Sequence, residues 1–249
     1  MSVQISSVLA DGIERTLARN GLLLVLAFFV IAAVQTLFTP VGSELEPNAS
    51  PIVGGPAIGW LVATVASLLG LYLTIVALRT FVTDERDTIP DAALRDRPVW
   101  TFLNVLVGYI VFTIVVAVGL VLLIVPGLFL LVALWFFDVY VAVEDDDFVT
   151  GMQRSWSLTS GHRLSLFGLG VAVILIIAAI SVPFSILEAI VGGVLGSLIA
   201  QLGGAFTAVY IYATTAVAFT QLRDPVVGAE TQSETTDDWG SSTDDYRSH

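Results

Sequence analysis

The chain has 249 residues, of which 56 % are hydrophobic and 13 % charged, and its mean hydropathy is +0.88. A soluble domain carries about twice that charged fraction, so long apolar runs with charges confined between them point to an integral membrane protein. The net charge is −12, all ten basic side chains are arginines, and cysteine is absent, which excludes disulfides, thiolate metal sites and a basic nucleic-acid surface.

The segment VLADGIERTLARN comes first and puts Leu9, Ile13 and Leu17 on one helical face, with Arg15 and Arg19 off it. This lead is long and contains Asp11 and Glu14, so the apolar run behind it reads as a retained helix, not a cleaved signal. Six apolar segments follow, over about 21–38, 52–82, 99–125, 127–143, 164–182 and 195–222. Each is near or above the roughly 20 residues that cross the hydrocarbon as a helix. Arg15 and Arg19 precede the first. Arg79, Arg86, Arg95 and Arg97 lie between the second and third. Arg154 and Arg163 lie between the fourth and fifth, and Arg223 and Arg247 follow the sixth. All ten therefore fall on one side of a six-span threading, and the positive-inside rule puts that side, with both termini, in the cytoplasm of a multi-pass cell-membrane protein.

Between spans three and four, Val125-Pro126-Gly127 reads as a tight external turn. Span four ends on Glu144-Asp145-Asp146-Asp147, and these acids begin a second amphipathic helix with Phe148, Met152 and Trp156 on its apolar face. IPDAALRDRPVW before span three is a shorter segment of the same kind, broken by Pro98. The fold expected is all-α: a polytopic helical bundle of six transmembrane helices with cytoplasmic interfacial amphipathic helices. A threefold pseudo-repeat of interfacial segment plus hairpin is expected, about an axis along the membrane normal. Residues 1–223 form the membrane domain. Residues 224–249 form an acidic tail too polar to order itself, in which Trp239 and Tyr246 are docking candidates.

Asp138 is the side chain that most needs explaining. It lies six residues before Glu144, roughly 9 Å along a helix, in what reads as the unfavourable C-terminal half of span four. Pairing with Arg79, Arg154 or Arg163 is expected, with Asn104 at similar depth, to form a buried polar network; a proton or ion relay is the sharper alternative. Glu188 reads as wet on the external side after Pro183. Gly55 and Gly59 form a lone GxxxG, as consistent with packing inside one chain as with dimerisation. No GxSxG, HExxH or P-loop is present, and Ser155 and His162 share a loop with no third partner, so no catalytic site, cofactor or metal site is expected.

Val125-Pro126-Gly127, the apolar run after it, and Gly151, Ser155-Trp156, Leu158 and Gly161 in GMQRSWSLTSG carry a likeness. The stretch resembles the membrane domain associated with glycerophosphodiester phosphodiesterases and its stand-alone relatives in halophilic archaea. The resemblance implies a six-span helical membrane domain without the phosphodiesterase's catalytic residues. Bacterial members of that group often carry a basic residue in span four, where this chain has Ala133. The acidic balance fits high salt, where carboxylates hold water, with a positively charged partner as the alternative. The expected role is a non-enzymatic scaffold, a lipid-organising element or a partner subunit of another membrane protein, with membrane lipids as partners. A transporter or permease-like subunit for a small solute is the alternative.

Overall fold

The computed structural model describes residues 4–38, 56–83, 86–95 and 97–223. The tail 224–249, the loop 41–51, Gly55 and the start of span two at 52–55 lie outside the described residues. Within them the chain is all-helical, without strands: α1 (Ile5–Leu17), α2 (Arg19–Phe38), α3 (Pro56–Val82), α4 (Asp91–Arg95), α5 (Pro98–Leu122), α6 (Ile124–Ala133), α7 (Phe137–Glu144), α8 (Phe148–Thr159), α9 (Arg163–Val191) and α10 (Gly193–Arg223). Six stretches are long and apolar enough to cross a membrane: α2, α3, α5, α6 with α7, α9 and α10. At 29 and 31 residues, α9 and α10 are each over 40 Å long, beyond the ~30 Å of hydrocarbon, so they tilt or project.

The order short helix, span, span occurs three times: α1–α2–α3, α4–α5–α6/α7 and α8–α9–α10. Packing closes these units into a ring. Each short helix lies on the second span of the preceding unit: α1 on α10, α4 on α3, α8 on α7. Each second span also meets the first span of the next unit: α3 with α5, α6 with α9, α10 with α2. The second spans supply most of the core, with Ile75, Leu78, Phe136, Phe137, Val217 and Phe219 almost wholly buried. The core sits at the arginine-bearing end. In α3 every residue from Thr74 to Phe81 is buried, whereas Trp60, Leu61, Val65 and Leu69 near its other end are exposed.

Two turns differ from the sequence expectation. The turn between spans three and four is made by extended Leu123 alone (φ −160°, ψ 135°), and Pro126 and Gly127 lie in the first turn of α6. Proline fits there because the first amides of a helix have no internal acceptor. Gly127 serves close packing, since a Cβ on it would come within 2.6 Å of the Leu120 backbone nitrogen. The segment after Pro183 is not a loop either: α9 runs through Pro183 to Val191, carrying Glu188 in its last turn, and the chain reverses at Gly192 and Gly193 with φ of +65° and +57°.

Candidate functional site

Span four is not one helix. Leu134, Trp135 and Phe136 interrupt it, with Leu134 and Phe136 near φ −100° and ψ 11°. Across the break the Trp135 and Phe137 amides reach only three residues back, to Val132 O and Leu134 O at 3.4 and 3.3 Å. Ala133 O and the Phe136 amide thereby lose their regular helical partners. In hydrocarbon such groups must be satisfied from within the protein, and α8 supplies the atoms. Ser155 Oγ donates to Ala133 O at 3.0 Å and accepts from the Phe136 amide at 3.1 Å. Thr159 Oγ1 lies 3.2 Å from the same carbonyl, sharing its single hydrogen with Ser155 O at 2.9 Å.

The buried face of α8 is therefore Gly151, Ser155 and Thr159, four residues apart. Phe148 and Met152 are half-buried beside it, and Trp156 is 43 % exposed. A Cβ on Gly151 would meet Val141 at 2.9 Å and Phe137 O at 3.0 Å, so glycine lets α8 lie directly on α7. The helix starts cleanly because Asp147 caps it, accepting from the Val149 and Thr150 amides at 3.0 and 3.1 Å and from Thr150 Oγ1 at 2.6 Å. On α1 the buried stripe Val8, Gly12 and Thr16 has the same four-residue spacing, with Gly12 against Tyr210 and Thr214 of α10.

The break also re-sites Asp138. In a continuous span it would sit towards the negative end of the helix dipole. Here it lies in the first turn of α7, where free amides and the dipole favour an anion. Its carboxylate accepts from the Val139 amide and from Tyr109 Oη, both at 2.9 Å. The expected arginine pairing is not formed. Tyr212 lies within electrostatic range of Asp138 and takes a hydrogen bond from Thr74 Oγ1 at 2.9 Å. Four helices of the ring, α3, α5, α7 and α10, thus meet at a small polar centre held by hydroxyls, not by a counter-cation.

Arg79, Arg154 and Arg223 are engaged nearer the end of the bundle. Arg79, 8 % exposed, pairs with Asp145 at 3.0 Å, donates to Thr101 Oγ1 at 3.1 Å and reaches Ala142 O and Ala93 O. Thr101 in turn donates to Asp145 at 2.8 Å. This knot ties α3, α4, α5 and the end of α7 together. Asn104 is buried, donating to Trp100 O one turn back and accepting from the Phe148 amide at the start of α8 at 3.3 Å. Arg154 pairs with Glu144 and lies 3.0 Å from Asp146, while Arg223 reaches Glu144 at 3.4 Å. Arg163 lies against the edge-to-face pair Phe129 and Trp156, 4.3 and 4.5 Å from their ring centroids, within cation–π range of both. The five candidate residues thus stand in five separate environments and do not form one network.

Two acids beside α8 titrate in opposite senses. Hydrogen bonds from the Thr150 hydroxyl and amide hold the Asp147 carboxyl below its usual range. Burial pushes Asp146 up, outweighing Arg154 beside it; although Arg154 is close, Asp146 Oδ2 makes no hydrogen bond of good geometry.

Two openings lie on the flanks. One, of about 360 Å³, runs between α3 and α5 and is lined by residues such as Leu68, Tyr72, Val99 and Phe102. The other, of about 340 Å³, lies between α1, α9 and α10. Among the described residues no group of three or more His, Cys, Asp or Glu side chains is placed to hold a metal ion. No curated protein and no solved structure matches the chain. Residues 3–229 match the family described as Domain of unknown function (DUF7847), and that span, covering nearly all of the sequence, places the chain in this family.

Proposed function

We propose that the protein is a non-enzymatic, lipid-organising scaffold of the cell membrane that can also seat a partner subunit, with its arginine-bearing end and both termini in the cytoplasm. The observation that carries this reading is that both flank openings are lined almost entirely by apolar side chains and face outward, while Asp138, Arg79 and Thr101 in the interior are consumed by one another's neighbours. Exposed Trp60 and the Arg79 knot are nineteen residues apart on α3, about 28 Å, which suits one hydrocarbon thickness. Arginines at the cytoplasmic end add about 1 kcal/mol each towards anionic lipid, reduced by salt. The likeness to the phosphodiesterase-associated membrane domain supports the same reading, since two residues that carry it in this chain, Gly151 and Ser155, serve packing of α8 on span four.

A solute-permeating role is the second reading, favoured by one feature: span four is interrupted at 134–136, and discontinuous spans are a recurrent element of transporter sites. Native mass spectrometry after gentle solubilisation separates the two. Retained lipid is expected under the first reading. A retained small solute without lipid, together with its flux into proteoliposomes, would replace it with the second.

A further inference from the structure

The opening between α1, α9 and α10 has features that its counterpart between α3 and α5 lacks. It is lined by Leu17, Ile176, Ile180, Phe184, Phe206 and Tyr210, among others. From Ile176 to Phe184 it follows two turns of α9, about 12 Å, enough to seat part of one hydrocarbon chain. Its rim residues Ile13 and Leu17 are 43 % and 58 % exposed, so it is continuous with the outer apolar surface. In the other opening Tyr72 bonds to Leu94 O. Here the lining residue Tyr210 has a hydroxyl that makes no hydrogen bond of good geometry. Arg19 stands two residues beyond Leu17, at the start of α2. Its side chain is exposed and engages no partner among the described residues, whereas neighbouring Arg15 is turned onto Phe81 O and Arg86 onto Glu14.

We infer that this opening seats one hydrocarbon chain of a phosphate-bearing membrane lipid, drawn from the leaflet at the arginine end, with Arg19 facing the phosphate. The apolar walls take the chain by excluding it from competing lipid contacts. Arg19 supplies charge selectivity and no burial, so headgroup preference and chain retention separate experimentally. The inference rests on the lipid-organising reading and narrows it to one site.

The test uses the full chain in detergent micelles containing equal amounts of phosphatidylglycerol and phosphatidylcholine, read by native mass spectrometry. One retained lipid is expected, with phosphatidylglycerol favoured about fivefold, the equivalent of about 1 kcal/mol from a single surface arginine. Arg19→Gln should keep the lipid and lose the preference. Ile180→Trp, which fills the opening, should lose the lipid while the helical circular dichroism stays unchanged. In the wild-type protein, phosphatidylglycerol with a diazirine in one chain should crosslink to residues 13–17 and 176–184. Lipid retained by a folded Ile180→Trp, or crosslinks confined to other segments, overturns this site and leaves the broader reading standing. No retained lipid of either kind overturns both.

Discussion

Ser155 is the residue on which span four depends. One hydroxyl serves the orphaned Ala133 carbonyl and the Phe136 amide at once. Ser155→Ala leaves the amide without a partner, and a buried unsatisfied group costs about 1–3 kcal/mol. A lower thermal midpoint in detergent is expected, with Ser155→Thr losing less because it keeps the hydroxyl. Tyr109→Phe removes one of the two hydrogen bonds to the Asp138 carboxylate, and a loss of similar size is expected. If Tyr109→Phe unfolds at the wild-type temperature, the polar centre contributes nothing to stability. Asp147 gives a pH test. Its carboxyl is held lower in the folded chain than in the unfolded one, so its contribution is full above the ordinary carboxylate value and fades as pH falls through the folded value. Asp147→Ala should therefore flatten the acid limb of the stability profile, and Asp147→Ser, which can still cap, should recover part of the lost stability near neutral pH.

At the scale of elements, the short helices are seated by small residues. Gly151→Leu drives a side chain into the Phe137 carbonyl, and Gly12→Leu drives one into Thr214 and Tyr210. Each should cost at least the ~1–3 kcal/mol of an overpacked core, read as a fall in thermal midpoint and faster amide exchange at Phe136 for the α8 variant. Gly204→Ala is the contrasting case: nothing lies within 4 Å of its added methyl, and the helix should gain about 0.5–1 kcal/mol. Hydropathy and arginine spacing made the spans and short helices readable in the sequence, because burial in lipid leaves a compositional mark. The break at 134–136 left none, since Leu134, Trp135 and Phe136 are as apolar as their surroundings. Its mark was in another helix: Gly151, Ser155 and Thr159 recur every fourth residue, a stripe too small to register as the apolar face beside Phe148, Met152 and Trp156. Asp138 was misplaced for the same reason, as its helix end is created by that break. Arg79 went to Asp145, not Asp138, because the acid at the foot of α7 lies where a long side chain from α3 reaches without entering hydrocarbon.

Over the whole molecule, three units close into a ring whose contacts concentrate at the arginine end. Tight packing there and exposed apolar surface at the other end suit a protein that holds its helices together on one side of the bilayer and meets lipid on the other. The central claim is a six-span threading that keeps every described arginine on one face. The chain has no cysteine, so single introduced thiols report without background. Thr83→Cys and Ser160→Cys lie beside the arginine-bearing segments, and Leu123→Cys and Val191→Cys lie at the opposite turns; all four positions are exposed. With a membrane-impermeant maleimide, the account predicts that Leu123→Cys and Val191→Cys are labelled in intact cells and that Thr83→Cys and Ser160→Cys are labelled only after lysis. Labelling of Thr83→Cys and Ser160→Cys from opposite sides, or of all four from outside, would contradict it.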